Sequence, residues 1–343
     1  DRRDTSGYFR VNAFFARTLA SQLRPDDIIW VQDYHLIPLA AELRAMGVTN
    51  KIGFFLHIPW PPPDVFFALP PHRRLLETFS SYDLVGFQTD YDAENFVSCL
   101  VREGLGNAVG PGRFRTGERE FRIGAFPIGI ETDEFAETAA TAARNALVKR
   151  TAVSLKGRKM IIGVDRLDYS KGIDQRMLAY ERYLENNPDA QGDIVYLQVT
   201  PKSRSEVPQY AEMQREIAET AGRINGTFSD LDWIPIRYIN RTIKRTTLAG
   251  LYRIADVGLV TPMRDGMNLV AKEFVAAQNP EDPGVLILSR FAGAARELDT
   301  AVLVNPYDLD STATAIDEAI SMPRDERIAR WCSTKAGGPA GST

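Results

Sequence analysis

Met160-Ile161-Ile162-Gly163-Val164-Asp165-Arg166-Leu167-Asp168-Tyr169-Ser170-Lys171-Gly172 passes from a short apolar run into a charged turn, and then into a segment carrying Ile173, Met177, Tyr180 and Leu184 at helical spacing. A run long enough for one buried strand, followed at once by an amphipathic helix, is a βα unit. Similar runs occur upstream at 28–32, 52–56, 84–88 and 123–127, and downstream at 194–199, 234–238, 257–261, 285–288 and 302–305. Helical periodicity separates them. The segment 36–44, for example, places Leu36, Leu39, Ala40 and Leu43 on one face and stops at Gly47, a C-cap residue. This alternation predicts α/β architecture with parallel sheets covered on both faces.

The segment 131–158, rich in Ala, Thr, Lys and Arg, has no strand character and predicts a boundary near residue 148. The expected domains are 1–147 and 148–330, with a linker-like, unstructured tail at 331–343. Right-handed crossovers then make two doubly wound, Rossmann-like domains facing across a cleft. The length of 343 residues suits two cores better than one.

Composition narrows the function. With 44% apolar and 25% charged residues the chain is globular rather than disordered. Its net charge of -4, from 41 basic and 45 acidic residues without a basic tract, argues against nucleic acid or an anionic membrane as partner. No apolar run approaches a membrane span, and no leader pattern is present. Cys99 and Cys332 are the only thiols, far apart and without zinc-like spacing, so a cytoplasmic protein is expected. Three histidines without ligand spacing offer no metal site, and no GxGxxG turn calls for a nicotinamide; no cofactor is expected. Homo-oligomerisation stays open.

Ligands of doubly wound sheets bind at the carboxyl ends of strands, so the residues after each run are the candidates. Arg166 and Lys171, on a turn into a helix, are placed to grip one anion, a diphosphate above all. They also have an ordinary reading, pairing with Asp165 or Asp168. In Asp265-Gly266-Met267-Asn268-Leu269-Val270-Ala271-Lys272-Glu273, backbone amides suit phosphate or sugar, and Asp265 and Glu273 suit sugar hydroxyls. Asp265 as a helix cap and Glu273 as a surface carboxylate is the alternative. His57, ahead of the rigid Pro59-Trp60-Pro61-Pro62-Pro63, is either a sugar-hydroxyl donor or a buried histidine bonded to a carbonyl. Asp33 ends a strand where it accepts from a hydroxyl nucleophile or caps the next helix. Arg204, in Pro201-Lys202-Ser203-Arg204, is a phosphate clamp or a solvated loop residue.

Taken together, Val31-Gln32-Asp33-Tyr34-His35-Leu36, Gly53-Phe54-Phe55-Leu56-His57-Ile58-Pro59, the 165–172 and 264–273 stretches and Gly222-Arg223-Ile224-Asn225-Gly226 resemble the trehalose-6-phosphate synthase family of GT-B glycosyltransferases. The resemblance runs from about Gly7 to Arg330. It implies retaining transfer of glucose from UDP-glucose to glucose 6-phosphate, without an obligatory metal. By the same resemblance Arg166 and Lys171 hold the donor diphosphate, Glu273 the ribose, and Asp265 and His57 the donor glucose. Ile243 and Leu269, Val270 and Ala271, with the Gly266-Met267-Asn268 turn before them, lie by the donor; Asp33, Tyr34 and Arg204 hold the acceptor. Asp33, His57, Arg166, Lys171 and Asp265 form the implied catalytic set. The family's opening strand, with its Gly-Gly turn over the donor phosphates, does not precede Asp1, so an incomplete first domain is expected. The alternatives are a related transferase using another acceptor such as glycerol phosphate, and a non-catalytic nucleotide-sugar-binding fragment.

Overall fold

In the computed structural model, which describes residues 2–201 and 208–337, each apolar run read as a strand lies in one, with shifted ends. The first unit holds β1 (Ile28–Gln32), β2 (Lys51–Phe55), β3 (Leu84–Phe87), β4 (Asn107–Gly110), β5 (Arg113–Thr116) and β6 (Arg119–Ala125). The second holds β7 (Lys159–Val164), β8 (Ile194–Val199), β9 (Ile236–Ile239), β10 (Val257–Val260), β11 (Val285–Ser289) and β12 (Val302–Val304).

The second sheet runs β12-β11-β10-β7-β8-β9, with every neighbouring pair parallel. The chain winds outward from β7 to β9, returns, and winds outward the other way from β10 to β12. The reversal lies between β7 and β10, where doubly wound sheets open a crevice at their carboxyl ends. All six residues of β8 are buried, which is why a central parallel strand reads as a continuous apolar run.

The first sheet runs β1-β2-β3-β6-β5-β4 and is mixed: β1, β2, β3 and β6 are parallel, while β4, β5 and β6 form an antiparallel meander. This corrects the expectation of parallel sheets throughout. In Arg113-Phe114-Arg115-Thr116 only Phe114 is buried, so β5 has no apolar run to detect; Gly112 and Gly117 make its turns in the left-handed region (φ 62° and 57°). Coverage of both faces also fails at the edge strand β1, where Ile28 and Trp30 are 79% and 71% exposed.

Two boundaries differ from expectation. The units part between Ile128 and Gly129, not near residue 148. Phe135 and Ala139, on the helix Thr132–Ala142, join the second unit's core, and a Cβ on Gly250 would lie 2.9 Å from the Ala142 carbonyl oxygen and from Val148 Cγ2. The expected tail is helical through 337, within Arg324–Gly337, because the Trp331 indole donates to the Val275 carbonyl (2.9 Å) and Arg327 Nη1 to that of Pro283 (2.5 Å). Residues 338–343 lie outside the described residues.

Candidate functional site

The loops that follow β7 and β10 meet at the reversal point of the second sheet. The Met263 amide donates to the Ser170 carbonyl (2.8 Å). Gly172 is left-handed (φ 60°), and a Cβ there would stand 2.8 Å from the Thr261 carbonyl oxygen, so any side chain would force the loops apart. Lys171 Nζ donates to Asp265 Oδ2 at 2.5 Å, and the two side chains are 14% and 17% exposed. Arg166 is open to solvent and stands 3.4 Å from Asp168, whose Oδ1 accepts from the Ser170 amide and hydroxyl. The ordinary pairing thus holds for Arg166. For Lys171 it does not, since its partner comes from the other loop.

Asp265 is not the helix cap. Asn268, itself left-handed at φ 75°, takes that place: its Oδ1 accepts from the Ala271 amide (3.3 Å) and its Nδ2 donates to Asp265 Oδ2 (3.0 Å). The helix Leu269–Ala277 therefore begins beside the Lys171–Asp265 pair, with its first-turn amides at Leu269 and Val270 lacking intrahelical acceptors. Gly266 and Met267 are buried and braced from behind, because the Gly293 amide donates to Asp265 O (3.1 Å) and that of Ala294 to Met267 O (2.8 Å).

Nor is Glu273 a surface carboxylate. It is 15% exposed, and its Oε1 accepts from Arg245 Nε and Nη2, each at 3.0 Å. Burial pushes its carboxyl above the usual glutamate range, against the opposing pull of Arg245. Arg245 in turn lies over the Phe135 ring, 5.1 Å from its centroid. Ile243, half-buried, sits on the loop between β9 and the helix Arg245–Ile254.

In the first unit Asp33, Tyr34 and His57 follow β1 and β2. Asp33 takes a backbone conformation (φ 66°, ψ 171°) that non-glycine residues avoid, at a cost of about 1–3 kcal/mol. Its amide donates to Phe55 O (2.8 Å) and its Oδ1 accepts from the Tyr34 amide (3.0 Å), so it does cap the short 3-10 turn Tyr34–Leu36. His57 is exposed, not a buried core histidine. Its Nε2 lies 2.8 Å from Gln32 Oε1, a contact that orients the ring. Buried Trp60, packed on Phe66, Phe79, Phe87 and Phe96, anchors the loop that follows. Arg204 lies outside the described residues.

Three supporting residues escaped the sequence reading. Gln32 orients His57, Arg245 holds Glu273, and Arg176 is fully buried beneath the Lys171 loop. Only Arg176 left a signal: it falls on the apolar stripe Ile173, Met177, Tyr180.

The chain matches the model of glycosyltransferase family 20 over residues 1–336. It is 61% identical over 330 residues to a trehalose-6-phosphate synthase of Sinorhizobium fredii, covering 96% of this chain and 71% of that protein. A Burkholderia xenovorans α,α-trehalose-phosphate synthase (UDP-forming) solved in complex with glucose-6-phosphate is 50% identical, with a TM-score of 0.95 over 98% of this chain and 74% of that one. A structure described as "Trehalose-6-phosphate from E. coli bound with UDP-2-fluoro glucose" is 48% identical, with a TM-score of 0.93 over 97% of this chain and 74% of that one. The fold is therefore the one the resemblance implied, two Rossmann-like units of the GT-B class. A match running through both units, with backbone agreement to solved relatives at about half identity, leaves one assignment: the chain belongs to glycosyltransferase family 20.

Proposed function

We propose that the protein transfers glucose from UDP-glucose to glucose 6-phosphate with retention, yielding α,α-trehalose 6-phosphate and UDP. One observation carries the reading to this chain's own residues. Lys171 and Asp265, from two different loops, meet at the reversal point of a doubly wound sheet, a cation for phosphate beside a carboxylate for sugar hydroxyls. The family and the ligands of the two solved relatives support the substrate pair.

In this reading the C1–phosphate bond breaks, UDP departs with the electron pair, the acceptor's anomeric oxygen bonds C1, and its proton leaves with UDP. Charge grows on the diphosphate, so Arg166 and Lys171 act by stabilising it electrostatically. Glu273 accepts from the ribose, and the Leu269, Val270 and Ala271 backbone with Ile243 borders the nucleotide. Asp265 and His57 orient the donor glucose; Asp33, Tyr34 and Arg204 receive the acceptor. Among the described residues no helix is long and apolar enough to cross a membrane, consistent with small dissolved substrates. The test is incubation with UDP-glucose or GDP-glucose and either glucose 6-phosphate or glycerol phosphate, with identification of the product. A non-reducing disaccharide phosphate from the first of each pair is expected; preference for either alternative substrate refutes the assignment.

A further inference from the structure

We propose that Arg176 is a positioning residue for the diphosphate grip, holding the loops after β7 and β10 in register so that Lys171 stands where the donor requires it. This rests on the role given above to Lys171.

Arg176 projects from the helix Ile173–Asn186, and its side chain is 0% exposed. A buried guanidinium is costly unless its donors are paired. Here Nη1 donates to Asp165 Oδ2 (2.6 Å) and lies 3.3 Å from Gln198 Oε1 on β8; Nε donates to Thr261 Oγ1 (3.1 Å), just past β10; Nη2 donates to the Lys171 carbonyl (3.1 Å). One planar fork thus reaches the end of β7, the neighbouring strand, the end of β10 and the backbone of Lys171 itself. The strand makes room for it: a Cβ on Gly163 would lie 2.4 Å from Gln198 Oε1 and 2.8 Å from Arg176 Nη1.

Packing alone does not account for this arrangement. Ile173, Met177 and Tyr180 surround position 176 on its stripe, and apolar residues in place of both Arg176 and its buried partner Asp165 would avoid the desolvation cost at equal or better stability. What an apolar residue lacks is the fork. Its directional donors add ties between two loops already joined by the Met263–Ser170 and Lys171–Asp265 contacts, and its charge pairs with the buried Asp165 carboxylate.

The experiment is calorimetric titration of the chain with UDP and with uridine, alongside thermal unfolding. Arg176→Lys keeps the charge opposite Asp165 but cannot span Thr261 and the Lys171 carbonyl; Thr261→Val removes one tooth of the fork without unpairing a charge; Thr261→Ser restores it. Arg176→Lys and Thr261→Val are each expected to weaken UDP about tenfold while uridine stays within about twofold, with Thr261→Ser close to the parent. A merely structural residue would weaken both ligands together. If Arg176→Lys does not fold, the Thr261 pair decides. An unchanged ratio of UDP to uridine affinity in Arg176→Lys and Thr261→Val, in a protein where Lys171→Ala does weaken UDP, overturns the inference alone. If Lys171→Ala leaves UDP binding intact, the underlying reading fails and the inference with it.

Discussion

Lys171 Nζ and Asp265 Oδ2 lie 2.5 Å apart, on loops 94 residues distant in the chain. In the proposed site a diphosphate approaching the ammonium competes with that carboxylate, while a hexose attached to the diphosphate gains it as a hydrogen-bond acceptor. The pair therefore links recognition of the two halves of the donor.

That link separates UDP from UDP-glucose. Asp265→Asn removes the competing charge but keeps a side chain that can accept from Lys171. UDP should bind at least as tightly as to the parent, up to about tenfold tighter. UDP-glucose should lose the advantage it gains from its sugar, and turnover should fall. Calorimetry with both ligands checks this; parallel weakening of both would show that Asp265 only steadies the loop.

Removal of either cation should weaken UDP itself. Loss of a charge-assisted contact to phosphate costs about 1.5–3 kcal/mol, so Arg166→Ala and Lys171→Ala should each reduce UDP affinity about ten- to hundredfold. Arg150→Ala, an exposed arginine on the helix Ala146–Leu155, serves as control and should change nothing. Equal affinities in all three variants would remove the diphosphate assignment.

Glu273 predicts a pH dependence. Burial raises its carboxyl above the ordinary value of about 4.3, and Arg245 opposes the rise. In the proposed site the ionised form accepts from the ribose, so as pH falls through the raised value the group should gain a proton and nucleotide affinity should drop, earlier than for an ordinary glutamate. Stability moves the opposite way: the folded state holds the proton more tightly than the unfolded chain, so this group's contribution is lost as pH rises through the folded value. Arg245→Met should carry the acid limb of UDP binding to higher pH, and Glu273→Gln should flatten the part due to this residue. Identical profiles for the parent and Glu273→Gln would exclude it.

Arg204 is expected to act on the acceptor alone. Arg204→Ala should raise the KM for glucose 6-phosphate by about tenfold or more and leave that for UDP-glucose nearly unchanged, as loss of one phosphate contact requires. Initial-rate kinetics with each substrate varied in turn decide it; an equal effect on both means the position has been misassigned.

Legibility in the sequence followed the physical range of each signal. Strands buried on both faces announce themselves as apolar runs, so β7, β8 and β10 and the charged turns after them stood out, and with them Arg166, Lys171 and Asp265. β5, with one buried residue in four, did not. The unit boundary was hidden because Phe135 and Ala139 carry no local mark of which core they join; only contacts such as that between Gly250 and Ala142 assign their helix. Arg176 was visible only as a charge on an apolar stripe, and the partners that explain it come from three other segments.

Gly293 shows the same limit most sharply, and its substitution is the most local test of how the donor loop is held. Nothing in Ala292-Gly293-Ala294 marks the glycine as necessary, and its φ is not in the left-handed region. A Cβ there, however, would fall 1.8 Å from the Gly266 carbonyl oxygen, a contact that only backbone movement can relieve. The moved segment is the one that carries Asp265 and Asn268, whose side chains meet at 3.0 Å beside Lys171. Misplacement of a reacting group by about 1 Å costs on the order of a hundredfold in rate, so Gly293→Ala should reduce turnover to that extent. The overpacking should cost about 1–3 kcal/mol of stability, enough to lower the melting temperature without unfolding the chain. Gly222→Ala supplies the contrast. It lies in the interior of the helix Pro208–Phe228 with nothing within 4 Å of the added carbon, so it should stabilise by about 0.5–1 kcal/mol and leave turnover alone. Thermal unfolding and initial rates on both variants provide the measurement. Normal turnover in a folded Gly293→Ala protein would mean that the loop bearing Asp265 tolerates displacement, and that its bracing by the 291–294 segment does not set the donor geometry.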